Sequence, residues 1–359
     1  LVAGHNTYAG EGIMSSIYKN ASFSFGGFHF TSDGYRKNND QKDDIANAFV
    51  QLELSPATSI QGEYRYRNTL HGDLNLRFFP ENYFPGERNS EERNSYRLGA
   101  RHNFAPNSTL LGSFTYQEVT FGLNDQQPVE PGLNLINLRA PNKALGGEMQ
   151  HLFRSEFINL TSGVGYVNIN GNINATTGLD LPLPPDGPGP ITLQSTIGTD
   201  VSHVNTYAYS YIHPLKGVMF TLGGSGDFIK SDSQGINKTD QINQFNPKFG
   251  ITWEPITGTV LRAAAFRTMK RTLISNQTLE PTQVAGFNQF FDDINGTDAW
   301  HYGGAIDQQF SKDIYSGVEF TKRDMNVPYL DFSDPETPAN RKVDWEEYLG
   351  RAYAFWTPP

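Results

Sequence analysis

From Ser22 to Trp356 the chain repeats one pattern: an alternating run, a short turn, a second alternating run and a long polar loop. No other feature restricts the fold as much. The clearest unit is Phe245 to Thr268, FNPKFGITWEPITGTVLRAAAFRT. Phe249, Ile251 and Trp253 share one face of its first arm, and Lys248, Gly250, Thr252 and Glu254 share the other, the period-two pattern of a half-exposed strand. In the second arm Leu261, Ala263 and Ala265 oppose Arg262, Ala264, Phe266 and Thr268. Glu254 to Gly258 supplies the turn, with Pro255 presetting φ and Gly258 admitting positive φ. The unit reads as a β-hairpin.

Other short turns fall at Lys19 to Ala21, Ser55 to Thr58, Ala105 to Ser108, Arg154 to Glu156, Pro214 to Gly217 and Ser311 to Asp313. Between them lie polar loops predicted at 31–44, 68–94, 122–142, 170–200, 271–297 and through residue 342. The loop at 170–200 carries LPLPPDGPGP, whose prolines cannot donate to a strand ladder. The strands number about fourteen or fifteen, each roughly ten residues long, enough to cross a bilayer when tilted. Strict alternation of short and long connections is the habit of outer-membrane barrels, with short periplasmic turns and long extracellular loops. A soluble propeller or sandwich also has short strands, but not this alternation.

Composition agrees. Hydrophobic residues are only 37% of the 359 while aromatics reach 13%, with 35 glycines and a mean hydropathy of -0.50. A wet-lumened barrel needs only every second strand residue to be apolar. One face of several predicted strands is too charged for a dry core: Arg65 and Arg67 share theirs with Glu63, and Arg97 with Arg101. No stretch reaches the roughly 20 continuous apolar residues of a membrane-spanning helix, so a crossing requires a closed barrel. The net charge of -10 argues against nucleic acid as a partner. The chain contains no cysteine, HExxH, GxSxG or phosphate-binding loop, so an enzyme is not expected, nor is a cofactor.

NPKFGITWEP, TVLRAAAFRT, LEPTQVAGFNQFF (Leu279 to Phe291) and the strand GGAIDQQFSKDIYSGVEF follow one another over about 80 residues. This succession resembles the barrel of TonB-dependent outer-membrane receptors, in which an N-P-(K/R)-x-G strand, an arm, an L-x-P-E segment and a Gly-starting strand come in that order. Thr282 stands where that pattern has Glu. More generally the tract resembles TonB-receptor-like barrels attached to tetratricopeptide-repeat proteins of Gram-negative bacteria. No plug domain or TonB box is recognised within these residues.

Candidate lumen-lining residues are Arg65, Arg67, Arg97, Arg101, Arg262, Arg351, Glu53 and Glu63; Arg65, Arg67, Arg97 and Arg101 read either as an anion- or polysaccharide-attracting wall or as a ladder of charges paired with Glu53 and Glu63. Tyr64, Tyr66, Tyr96, Tyr207, Tyr209, Tyr211, Trp253 and Trp356 are candidates for an aromatic girdle at the membrane interface. No metal is assigned. Asp292, Asp293, Asn295 and Asp298 form an oxygen-rich loop that suits calcium weakly and solvent better.

Residues 1–359 are thus expected to form a single all-β domain, an antiparallel transmembrane β-barrel of the bacterial outer membrane. The final turn lacks a return strand, so the barrel is expected to be incomplete at one or both ends, within a longer precursor. The resemblance implies ligand uptake, with outer-membrane lipid around the barrel and a periplasmic energy-coupling or repeat-protein partner. The alternatives are a passive porin exporting a polymer such as an exopolysaccharide, and a surface anchor that binds proteins through its loops.

Overall fold

The structure is a computed structural model describing residues 1–76, 78–79, 81–126, 132–180, 191–234, 238–331 and 339–358. Its strands are β1 (Val2–Ala3), β2 (Thr7–Tyr18), β3 (Ala21–Ser32), β4 (Gln41–Ser55), β5 (Thr58–His71) and β6 (Arg88–Ala105). They continue with β7 (Ser108–Gln126), β8 (Gly132–Arg154), β9 (Ile158–Asp180), β10 (Ile191–Leu215), β11 (Val218–Gln234) and β12 (Lys238–Ile256). The last are β13 (Thr259–Met269), β14 (Gln283–Val284), β15 (Phe287–Asn288), β16 (Asp298–Gln309), β17 (Ile314–Asp331) and β18 (Ala339–Trp356). All except β14 and β15 join one 16-stranded antiparallel meander, in which β13 pairs directly with β16. Among the described residues no ladder joins β18 to β1 or β2, and no helix is long and apolar enough to cross a membrane.

The alternating pattern sets the two faces. Leu98 lies opposite Phe114, Leu222 opposite Phe249 and Ile306 opposite Val318, and all six side chains are exposed on the outer face. Together they form an apolar band, which water would oppose and lipid accept. The inner face carries the charged positions of the same strands, and segment 270–297 packs on it.

The strands outrun the sequence reading. Leaving aside β1, those of the large sheet run from 11 residues in β13 to 25 in β10. Residues 170–200, expected as loop, continue β9 to Asp180 and resume in β10 at Ile191. The ladder persists there through pairs such as Asn174–Thr196 and Asn172–Gly198. Polar residues occupy both faces in this stretch, so hydrophobic alternation fades although the backbone pairing does not. The expected loop at 122–142 shrinks in the same way, because β7 reaches Gln126 and β8 begins at Gly132. The proline-rich stretch 181–190 lies outside the described residues.

Candidate functional site

Segment 270–297 leaves the top of β13, turns back along the inner face and rejoins the sheet at β16. Its centre is the small hairpin of β14 and β15, joined by Ala285 (φ 48°) and Gly286 (φ 86°). Two consecutive positive φ values make the tight connection that suits the twist of a two-residue hairpin. The wall is hollowed to receive it. A Cβ at Gly250 would lie 2.8 Å from the Ala285 Cβ, and one at Gly303 would overlap the Phe287 ring. Val284, Ala285 and Phe287 thereby enter a buried cluster with Tyr207, Tyr209, Ala264 and Phe266, the main apolar core of the molecule. Arg262 closes the tip, its guanidinium under the Phe287 ring at 5.1 Å and bound to Asp307 at 2.6 Å.

Charges fix the first half of the segment. Arg271 donates to Asp227 at 3.2 Å and to Glu280 at 2.6 Å, and all three are buried. Burial opposes the Arg271 charge, but the Glu280 and Asp227 carboxylates outweigh it and hold its pKa above the usual arginine value. Asp227 also accepts from Asn246 at 2.7 Å and meets His203 Nε2 at 2.9 Å. Glu280 accepts the Tyr209 hydroxyl at 2.6 Å. Nearby, Glu148 accepts from Tyr207 Oη at 3.0 Å, Thr278 Oγ1 at 3.0 Å, Leu279 N at 2.7 Å and Glu280 N at 3.1 Å. One wall carboxylate thus holds two consecutive backbone amides of the segment. The second half is tied by Arg323 to Asp293 and by Lys270 Nζ to the Phe291 carbonyl at 2.7 Å.

The N-P-K-F-G run acquires a local reason. Pairing between β12 and β13 ends at Lys248–Phe266, so Pro247, which lacks an N–H, stands where the next rung would be. Lys248 reaches past it and donates from Nζ to the Arg267 carbonyl at 2.6 Å. Both Asn246 and Lys248 are almost fully buried.

The eight charged candidates all fall on the inner face by register. Arg97 pairs with Glu63, Arg67 makes a two-pronged pair with Asp43 at 2.8 and 3.0 Å, and Arg351 lies 3.9 Å from Glu319. Glu53 and Arg101 both stand opposite Ser59, on its two sides. Arg65 has no acidic partner within ion-pair distance among the described residues.

Three of the aromatic candidates are corrected. Tyr207, Tyr209 and Tyr211 face inward, the first two buried and bonded to Glu148 and Glu280. Thr206, Ala208 and Ser210 alternate with them, so polarity alone does not send the aromatic side inward. Tyr64, Tyr66, Tyr96, Trp253 and Trp356 lie on the outer face by register; the Tyr64 and Tyr96 ring centroids are 5.1 Å apart.

The side chains of the acidic loop turn to partners within the protein. Asp293 binds Arg323, Asp298 binds Arg267 at 2.5 Å, Asn295 binds Thr272 at 2.7 Å and Asp292 approaches Lys270 at 3.8 Å. No cluster of three potential metal ligands occurs among the described residues. Glu148, Asp227, Arg271 and Glu280 were not singled out from sequence. The one clue to them was the LEPTQVAGFNQFF tract, which contains Glu280.

At the long-loop end, loops 33–40 and 72–87 interlock. Arg36 donates to the Asp73 and Asn75 carbonyls, Asn38 to those of Phe84 and Glu87, and Arg88 grips Asp40 through both prongs at 2.6 and 2.8 Å. The Arg88 hydrogen bonds hold the Asp40 carboxyl below its ordinary pKa. A depressed carboxyl contributes stability above its unfolded pKa of about 3.9 and loses it as pH falls through the folded value. Protease nicking of loop 33–40 is therefore expected to accelerate as the pH falls below about 4, at an acid-tolerant protease's constant intrinsic rate, and Arg88→Gln should remove that step. An unchanged pH profile in the variant would contradict the latch.

A cleft of about 440 Å³ remains between the segment and the wall, lined among others by Arg97, Thr115, Glu148, His203, Arg271 and Phe290. Its lining offers several donors and one carboxylate, that of Glu148. The sequence model of the family described as TonB dependent receptor-like, beta-barrel matches residues 18–324. A search of curated proteins finds no match. Among solved structures the chain is similar to FpvAI in its complex with pyocin S2 (12% identity, TM-score 0.77, 99% of this chain and 52% of that one). It is also similar to the siderophore receptor PiuA of Acinetobacter baumannii (13%, 0.73, 97% and 60%). The third is the ferripyoverdine receptor of the Pseudomonas aeruginosa outer membrane, bound to ferripyoverdine (10%, 0.73, 99% and 53%). The chain spans little more than half the length of these structures.

Proposed function

The chain belongs to the TonB dependent receptor-like β-barrel family of the bacterial outer membrane, and from that premise we propose that it walls a ligand-transport channel, with segment 270–297 narrowing the passage. The observation that carries the proposal is the division of one continuous meander into an apolar outer band and a charged inner face on which a buried segment is seated. Passage along such a wall exchanges hydrogen bonds with water for hydrogen bonds with side chains, so a polar ligand is not stranded. Uptake energised from the periplasm through TonB is the family's mode and is part of the proposal. Among the described residues the outer edges of β1–β2 and of β18 are unpaired and cannot face lipid, so further strands of the same protein are proposed to close the barrel. Tyr64, Tyr66, Tyr96, Trp253 and Trp356 then belong to the interfacial belt.

The test is heat-modifiability of the full-length protein in detergent, followed by conductance in planar bilayers. A mobility shift on boiling and ligand-dependent channel behaviour are expected. No shift, with solubility after detergent removal, would overturn the barrel; a permanently open conductance would favour the passive porin.

A further inference from the structure

We propose that a pocket on the inner face of β5 and β6 binds an oxyanion, the phosphate or carboxylate group of an acidic ligand. The proposal rests on reading this face as the wall of a passage, and it adds the chemical class of what the wall receives. The cavity measures about 180 Å³ and is lined by Arg65, Arg67, Arg93 and Arg97, with Glu63 the only carboxylate in its lining; Ser95, Thr115 and Gln277 complete it. At roughly 30 Å³ per water, it admits one oxyanion with a few waters rather than a whole ligand.

Its charge arrangement is incomplete without a guest. Arg67 stands directly opposite Arg93 across the β5–β6 ladder, a like-charge rung that costs stability. Asp43 relieves Arg67 from one side and Glu91 relieves Arg93 from the other, but neither acid lines the cavity. Arg65 has no acidic partner among the described residues, although it lines the same space. A guanidinium without an acidic partner beside a like-charge rung, around a single void, is what an oxyanion satisfies, because guanidinium forks match the oxygens of phosphate and carboxylate. The chain as a whole carries a net charge of -10, so this patch runs against the general field. Arg97 also donates to Gln277, so the seated segment forms one wall of the pocket and a guest meets it directly.

The experiment is calorimetric titration of the full-length protein in detergent with pyrophosphate and, separately, citrate, using uncharged erythritol as the blank. Saturable binding of at least one anion is expected, and the arm that saturates names the group. Arg65→Gln should weaken it about tenfold, the worth of one charge-assisted contact. Lys312→Gln, which removes the same charge at a distant short turn, should leave it unchanged. Retention of the heat-shifted band shows that each variant is folded. Absence of saturable binding, or equal losses in both variants, would overturn the pocket. Binding that obeys these expectations in a protein without channel activity would overturn the passage reading and leave the pocket standing.

Discussion

Arg271→Met is expected to lower the stability of the folded barrel by roughly 3–5 kcal/mol, the cost of breaking a buried ion pair from one side. The guanidinium bridges Asp227 on β11 and Glu280 on the segment, with each side chain almost wholly shielded from water. Methionine keeps an unbranched apolar stem but leaves two carboxylates without their counter-ion. His203 and Asn246 still serve Asp227, whereas among the described residues the Glu280 carboxylate keeps only the Tyr209 hydroxyl. The loss should therefore fall mainly on the segment. The measurement is the temperature at which the heat-shifted band disappears, with near-ultraviolet circular dichroism reporting on Tyr207 and Tyr209. Adding Glu280→Gln removes one of the stranded charges and should recover part of the loss, so the double variant should be more stable than Arg271→Met alone. A transition unmoved by Arg271→Met would mean that the ion pair does not hold the segment.

The distribution of this network explains what could be read from sequence. The hairpin at Phe245 to Thr268 was legible because its arms are adjacent in the chain, and a Pro/Gly turn fixes their register. The same logic gave the faces of Arg65, Arg67, Arg97 and Arg262. It offered Glu53 and Glu63 as partners but not for which arginine: Glu63 meets Arg97 across a pair of strands separated by the long loop 72–87, whose length says nothing about register. The segment was still harder to read. Its polar, proline-containing sequence looks like a solvated loop, because the groups that bury it lie on β8, β10, β11, β12 and β16. Tyr209 shows the limit of periodicity most clearly. Period two put it on a common face with Tyr207 and Tyr211, but the groups that hold that face inward are remote in the chain, Glu280 lying 71 residues from Tyr209.

Gly303→Leu is expected to unseat the β14–β15 hairpin. Side-chain atoms at position 303 would occupy the space of the Phe287 ring, which is rigid and 2% exposed. Neither neighbour gives easily: Arg262 lies under the ring and Gly286, at φ 86°, leaves the hairpin tip little backbone freedom. Overpacking of this kind costs about 1–3 kcal/mol, less than the seat loses when Arg271 goes, yet its consequence for passage is more direct. Asp227, Glu148 and the ladders of β13 and β16 are untouched, so the wall should remain while its occupant moves away. Single-channel conductance of the full-length protein should rise, and native-state hydrogen exchange should speed up at Val284 to Phe287 but not in β16. Phe287→Ala alone should open the same space with a smaller shift. Combined with Gly303→Leu it should cost less than the sum of the two, since the leucine then fills the void left by the ring. Additive losses in the double variant would mean that the two positions do not share one socket. An unchanged conductance in a folded Gly303→Leu protein would remove the segment from the path of the ligand.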